Sequence, residues 1–333
     1  MTQVSEIGTV WNLPNYAGEL FSADAMQTPL LAMIGGLSGG RMTSNFEFPT
    51  AVLFDYPEAA QPEISESAAA VAPEAVMAVR SQESNVVQIH QEIINLTYAK
   101  QSNVGRMQGL NTAGLEGDPV ADERAFQVQH KLIKIARDVE HSFINGQFKR
   151  AASSNEANKT RGLLELCCGG TTLDAKGAPL SKAMLQQIFR EMADNGAYFS
   201  NMVMFLPAYQ KQALSEIYAS QFNGTPVYTP SQRQVGGLNI TELETDFCRL
   251  GVCWDRFMPA DSVLIADVAH LAPVFQAVPG KGVLFEEELA KTGAADKIQL
   301  YGQIGLAHGP AFLHASITGL ATGGGVNAGS EQV

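Results

Sequence analysis

The sequence predicts an α+β chain built from unlike parts, and three observations carry that expectation. One long helical pattern occupies the middle of the chain. Strand-like runs stand before it and again at the end, and a compact alternation of helices and strands lies between. A polar stretch with almost no aromatic residues interrupts the first strand-like region, and it suits an extended excursion better than a packed unit.

With 333 residues there is room for one to three domains and a large core. Hydrophobic residues make up 45% and charged residues 17%, a globular composition with rather few charges. A net charge of −12 excludes a protein whose main task is gripping phosphate backbones, because that needs a basic face. No run approaches the roughly 18 unbroken apolar residues of a membrane span, and MTQVSEIGTVWNLP lacks the basic start and apolar core of a signal peptide. The four cysteines, Cys167, Cys168, Cys248 and Cys253, are too few for a disulfide scaffold. The expectation is a chain made and kept in a reducing cytoplasm.

Residues 1–45 show no steady period. TPLLAMIGGLSGG (28–40) offers one short apolar helix and a glycine loop to end it, so the segment reads as an arm with one docking point. FEFPTAVLF (46–54) and VVQIHQEIINLTY (86–98) read as strands. Residues 55–85 between them are rich in Ala, Glu, Pro and Ser, and cannot bury enough surface to offset their own ordering. They are expected to form a long two-stranded excursion whose tip becomes ordered against a neighbouring molecule.

The long helix is expected over 118–146, with Asp118 as N-cap and Pro119 in the first turn. Its apolar stripe is Ala125, Val128, Leu132, Ile135, Val139 and Phe143, spaced three or four apart. At about 1.5 Å per residue it would span roughly 40 Å. Beyond it, Ser181 caps a helix with Leu185, Ile188, Phe189 and Met192 on one face, closed by Asn195 and Gly196. MVMFL (202–206) is a strand, and Pro207 opens a helix with Ala213, Leu214, Ile217 and Tyr218 inward. Residues 238–245 and 250–257 form a hairpin and 262–267 a short buried strand. At the end, Ile298, Leu300, Ile304 and Leu306 alternate with polar residues as on a half-buried strand, and Gly293 turns the chain back from GVLFEEEL (282–289).

Glu286 and Glu288 would stand on one face of a strand roughly 7 Å apart. Such a pair can do acid–base work, but charge on an exposed strand face also guards a sheet edge. No cleft is legible nearby, so the structural reading is taken: the polar side of a strand or a subunit contact. The runs GGLSGG (35–40) and ATGGGVNAG (321–329) lack the Lys-Ser/Thr of a phosphate loop and read as a loop and a tail. The cysteines lack the paired two-residue spacers of zinc ribbons and the Cys-x-x-Cys redox motif, and read as small buried hydrophobes. His90, His130, His141, His270, His308 and His314 are scattered; His130 and His141 share a helix face but stand three turns apart. The expectation is no catalytic residue, no metal site and no cofactor.

Taken in order, the blocks resemble the Hong Kong 97-type fold of tailed-bacteriophage major capsid proteins. TPLLAMIGG with FEFPTAVL resembles the entry into the extended loop of one branch of that family. DERAFQVQHKLIKIARDVEHSFINGQ with TRGLLEL resembles its spine helix and the strand after it. PLSKAMLQQIFREMADNGAYFSNMVMFLPAYQKQAL and TELETDFCRLGVCWDRFMPADSVLIAD resemble the two halves of the axial domain. LAKTGAADKIQLYGQIGLAHGPAFLHASITGL resembles the closing strands. The likeness covers roughly residues 28–320. One departure is Ala294 and Ala295 where the family leads one to expect an acidic residue soon after Gly293.

The resemblance implies an N-terminal arm (1–45), an extended loop (46–100), a peripheral domain (101–175) carrying the spine helix 118–146, an axial domain (176–262), return strands of the peripheral domain (263–320) and a flexible tail (321–333). It implies a structural protein, not an enzyme, that self-assembles into hexamers and pentamers of an icosahedral shell around double-stranded DNA, without sequence-specific binding and without a membrane. A separate scaffolding protein, a portal and a decoration protein are the implied partners, and the virion the implied location. Some relatives crosslink a lysine to an asparagine; nothing singles out Lys100 or Lys291 beyond their being lysines, so no crosslink is expected. The alternatives are an encapsulin-like nanocompartment shell that encloses a cargo enzyme, and a soluble α/β hydrolase or transferase that uses Glu286 and Glu288.

Overall fold

The computed structural model describes residues 27–54, 59–71, 77–102, 123–219, 232–235, 238–291 and 293–323. Asp118, Pro119, the Tyr218 side chain and most of the glycine-rich tail lie outside the described residues.

In chain order, helix α1 (Pro29–Met33) and strands β1 (Arg41–Thr43) and β2 (Glu47–Phe54) precede helix α2 (Glu66–Ala69) and strands β3 (Arg80–Val86) and β4 (Gln88–Thr97). Helices α3 (Tyr98–Ser102), α4 (Glu123–Asn145) and α5 (Leu163–Cys168) lead to β5 (Thr171–Asp174), α6 (Lys182–Asp194), β6 (Met202–Leu206) and α7 (Ala208–Ala219). Strands β7 (Gln232–Val235), β8 (Leu238–Glu244), β9 (Arg249–Trp254), β10 (Val263–Asp267), β11 (Ala272–Gln276), β12 (Leu284–Glu288), β13 (Ala295–Ala307) and β14 (Ala315–Thr318) complete the chain.

These strands make two large sheets and one ribbon. In the first sheet β13 is the hub, pairing antiparallel with β11, β12 and β4, while β1 joins β11 in parallel. The second runs β5-β14-β10-β6-β9-β8-β7. β2 and β3 form a separate antiparallel ribbon. The chain passes between the two sheets at β10–β11 and again at β13–β14, each time through a short 3-10 turn, Val268–His270 and Ala311–Leu313.

Helix α4 lies over the first sheet because its apolar stripe matches the sheet's. Ile135, Val139 and Phe143 are buried and share a core with Leu300, Ile304 and Leu306. Near the helix start, Val128 packs on Ile94, Leu96 and Ile298. In the second sheet β6 is buried at all five positions, as a near-continuous apolar run should be when it lies centrally under helices. Helix α6 begins where the Ser181 hydroxyl accepts the Met184 N–H at 3.3 Å. It ends at Asn195, followed by Gly196 with φ +87°. Leu185, Ile188, Phe189 and Met192 form its buried face, as their spacing predicts.

The structure departs from the sequence reading in four places. The expected strand 86–98 is broken at Val87, and the partner of β2 is the preceding polar segment Arg80–Val86. Backbone pairing suffices for a ribbon that packs little of its surface, so RSQESN forms a strand without apolar alternation. The excursion also holds helix α2, begun where the Ser65 hydroxyl accepts the Ala68 N–H at 3.2 Å. The block TRGLLEL folds as helix α5, not as a strand, and buries Leu163, Leu166 and Cys167 at helical spacing. Finally, the closing segment 263–320 serves both sheets, with β10 and β14 in the second.

Candidate assembly surfaces

Glu286 and Glu288 lie on edge strand β12, opposite Leu300 and Ile298 and on the side of the sheet that faces α4. There Arg124 of α4 reaches both, at 2.8 Å to Glu286 and 3.2 Å to Glu288. The two carboxylates raise the pKa of Arg124, chiefly through the Glu286 hydrogen bond. Beside them Lys131 and Lys134 both grip Glu92 of β4, the former at 2.8 Å. The acid pair is therefore one end of an ionic seam that fastens the spine helix to the sheet. Glu287 points the other way and pairs with Lys281 at 2.6 Å.

The turn after β12 contains Gly293 at φ +113°, a conformation that an L side chain resists. Lys291 pairs with Asp296 at 2.9 Å and lies over the Tyr98 ring. Lys100 lies on α3. In GGLSGG, Gly35 and Gly36 have positive φ, and the Gly39 N–H closes the loop on the Gly35 carbonyl at 2.9 Å.

The cysteines are all free, and Cys168 is exposed. Burial raises the pKa of Cys167 and Cys248, and pushes Cys253 up to about 12. His130 stacks on Phe126 within the helix, and His141 is exposed. Burial lowers His90 to about 4 on the helix-facing side of β4. Among the described residues no three His, Cys, Asp or Glu side chains are placed to hold a metal ion, and no helix is long and apolar enough to cross a membrane.

Sequence reasoning missed the buried acids. Glu140 of α4 is fully buried, and its two carboxylate oxygens accept the N–H groups of Leu30 and Leu31 at 2.7 Å each. These are donors at the start of α1 that no helical carbonyl can satisfy, so one carboxylate docks the arm on the spine. Asp255, just after β9, is also buried and within hydrogen-bonding reach of Glu140. Burial, followed by the Asp255 charge, raises the Glu140 pKa well above the usual carboxylate range. The one signal in the sequence was an acid on the apolar flank of the helical stripe, next to Val139.

The base of the ribbon is pinned by Asn85, also fully buried. Its amide donates to the Leu306 carbonyl at 2.8 Å and its oxygen accepts the Arg161 N–H at 2.8 Å. Beyond this base the excursion exposes apolar side chains in number: Val52, Phe54, Ile64, Val71, Met77 and Val79 are each 60–85% exposed. A wide polar groove of about 960 Å³ runs beside the base, lined by residues including Phe46, Gln82, Arg150 and Gln276.

Solved structures similar to this chain include phage capsids and an encapsulin. The chain resembles the cyanophage A-1(L) capsid asymmetric unit at TM-score 0.66 and 10% identity, over 96% of this chain and 100% of that one. The capsid of Myoviridae phage XM1 matches at 0.54 and 13% identity, over 93% and 97%. The holo-SrpI encapsulin complex from Synechococcus elongatus PCC 7942 matches at 0.56 and 10% identity, over 93% and 94%. No curated protein matches. The family match is more specific, since it spans residues 3–321, and by it this chain belongs to the SU10 major capsid protein family, structural proteins of the phage head with a Hong Kong 97-type fold.

Proposed function

We propose that this chain is the subunit of an icosahedral head built from its hexamers and pentamers, and that the excursion is its principal contact with a neighbouring copy. One observation carries this reading: six large apolar side chains stand exposed along an excursion that its own subunit leaves uncovered, Val52 and Phe54 on β2 and Ile64, Val71, Met77 and Val79 between β2 and β3. Burying them against a neighbour at about 1.5 kcal/mol each would contribute on the order of 10 kcal/mol per contact. That is comparable to the cost of fixing two proteins together.

On this reading residues 1–45 are the arm and 46–100 the extended loop. Segments 101–175 and 263–320 belong to the peripheral domain, save β5, β10 and β14, which join the second sheet, and 176–262 are the axial domain. The packaged double-stranded DNA is held without sequence recognition, which a net charge of −12 favours because the wall does not hold phosphates. A separate scaffolding protein, a portal and a decoration protein complete the head. The chain is made in the host bacterial cytoplasm and ends in the virion. An encapsulin-like compartment is the competing reading; its structural match lies below the cyanophage A-1(L) capsid and level with the phage XM1 capsid, so the family match favours the phage head.

Electron microscopy of the expressed protein, alone and with its scaffolding partner, tests the proposal. Closed shells or capsomer rings are expected; a monodisperse monomer under every assembly condition overturns it. Co-purification of a cargo enzyme in DNA-free shells would favour the compartment.

A further inference from the structure

Two of the chain's crossings between the sheets are short 3-10 turns, β10–β11 and β13–β14, and these touch each other. Gly309, at φ +66°, lies so close to His270 that a Cβ there would meet the His270 Cβ at 3.2 Å. Three further side chains brace the crossings, and one of them, His314, bonds from the second to the first. Asp267, fully buried, accepts the Asn201 and Ala269 N–H groups through Oδ1 and the Ser200 N–H through Oδ2, each at 3.1 Å. It thus ties the first crossing to the entry of β6. His314 of the second crossing accepts the Asp267 N–H on Nδ1 at 3.3 Å, and its Nε2 lies 2.6 Å from the His308 carbonyl oxygen. His308 places Nδ1 2.7 Å from the Gly309 carbonyl oxygen.

These partners fix the protons. An amide N–H only donates and a carbonyl only accepts, so His314 has a bare Nδ1 and a protonated Nε2, and the ring is neutral. His308 likewise donates from Nδ1, and its Nε2 is buried with no hydrogen-bond partner among the described residues. A proton added to His314 would face the Asp267 N–H, and one added to His308 would be a buried cationic donor without an acceptor. We propose that His308 and His314, with Asp267, make the junction between the two sheets an acid-sensitive hinge, closed while both rings are neutral and released when they are protonated.

The surrounding groups agree. His270 lies 3.3 Å from Asp267, Tyr198 lies against His270, Arg161 acts on His308, and Cys248 lies near Asp267. Among the described residues Asp267 is the anion that acts on His314, and its oxygens are occupied by backbone donors. Burial holds both His308 and His314 at about 4. A histidine depressed from about 6.5 stabilises the closed form above 6.5, and that stability is lost as pH falls toward 4.

Hydrogen exchange of the full chain between pH 7.5 and 5.5 tests the hinge, after correction for the intrinsic pH dependence of exchange. Opening at residues 267–271 and 307–314 should rise about tenfold per ring, about a hundredfold for both, while β6 stays protected. His314→Gln preserves one acceptor and one donor without titrating, so its rise should shrink to about tenfold. His308→Gln carries the same expectation and serves if the first variant does not fold. A flat wild-type profile, equal loss of protection in β6, or a full wild-type rise in the folded variant overturns the proposal.

Discussion

The spine helix and the excursion treat apolar surface in opposite ways. Helix α4 buries Ile135, Val139, Phe143 and Ile144 to 1% or less, and satisfies even its buried carboxylate with two backbone donors. The excursion is paired along its β2–β3 ribbon, yet leaves Phe54 on that ribbon 63% exposed and Met77, just before β3, 85% exposed. The first region is finished within one subunit, whereas the second is finished only by another molecule. Folding and assembly energies are thus separated in the chain, and substitutions can address one without the other.

The largest effect on the isolated subunit should come from Phe143→Ala, which opens a cavity where the helix meets β13. A loss of about 3–5 kcal/mol is expected in chemical denaturation; a loss below about 1 would mean that this core is not shared between helix and sheet. Glu140→Ala should follow at about 2–4 kcal/mol, because two α1 donors are then left buried without acceptors. Exchange at Leu30 and Leu31 should rise with it.

The same acid pair gives a pH dependence. The pKa values of Glu140 and Asp255 are raised on folding, chiefly by burial. The stabilisation is fully present below the ordinary carboxylate range near 4 and is lost as pH rises through the folded values. Asp255→Asn should flatten that decline in a denaturation series above pH 4. An unchanged slope would remove Asp255 from the pair.

These effects show how legible the molecule was. Ile298, Leu300, Ile304 and Leu306, the Ser181 cap and the β8–β9 hairpin were readable because period and capping are local properties. Glu140 was not, since its partners Leu30 and Leu31 lie over a hundred positions away. Nor was β3, because a polar strand held by backbone pairing has no apolar alternation to read. The pair Glu286 and Glu288 was read as structural from its strand position, but its partner Arg124 comes from an element 162 positions away. Such a contact is set by how helix and sheet cross, which no window of sequence contains.

Arg124→Ala tests the seam at a smaller scale. Its side chain is half exposed, so the loss should stay within about 1 kcal/mol and shrink with added salt. A loss of several kcal/mol would mean that the helix depends on its ionic edge more than on its apolar stripe.

The smallest effect on the subunit should come from the excursion, and it is the sharpest test of the comparison. Val71, Met77 and Val79 contribute little to their own core, so replacing all three with Ser should leave the denaturation midpoint within the equivalent of about 0.5 kcal/mol. Assembly should nevertheless fail, because the same three side chains supply apolar area that a neighbour would bury, at up to about 1.5 kcal/mol each. Light scattering and electron microscopy of the triple variant beside wild type separate the two energies. Normal shells would show that the neighbour does not use this part of the excursion. A destabilised subunit would show that the excursion folds back on its own chain, and the division between folding and assembly would then fail at the place where it is drawn most sharply.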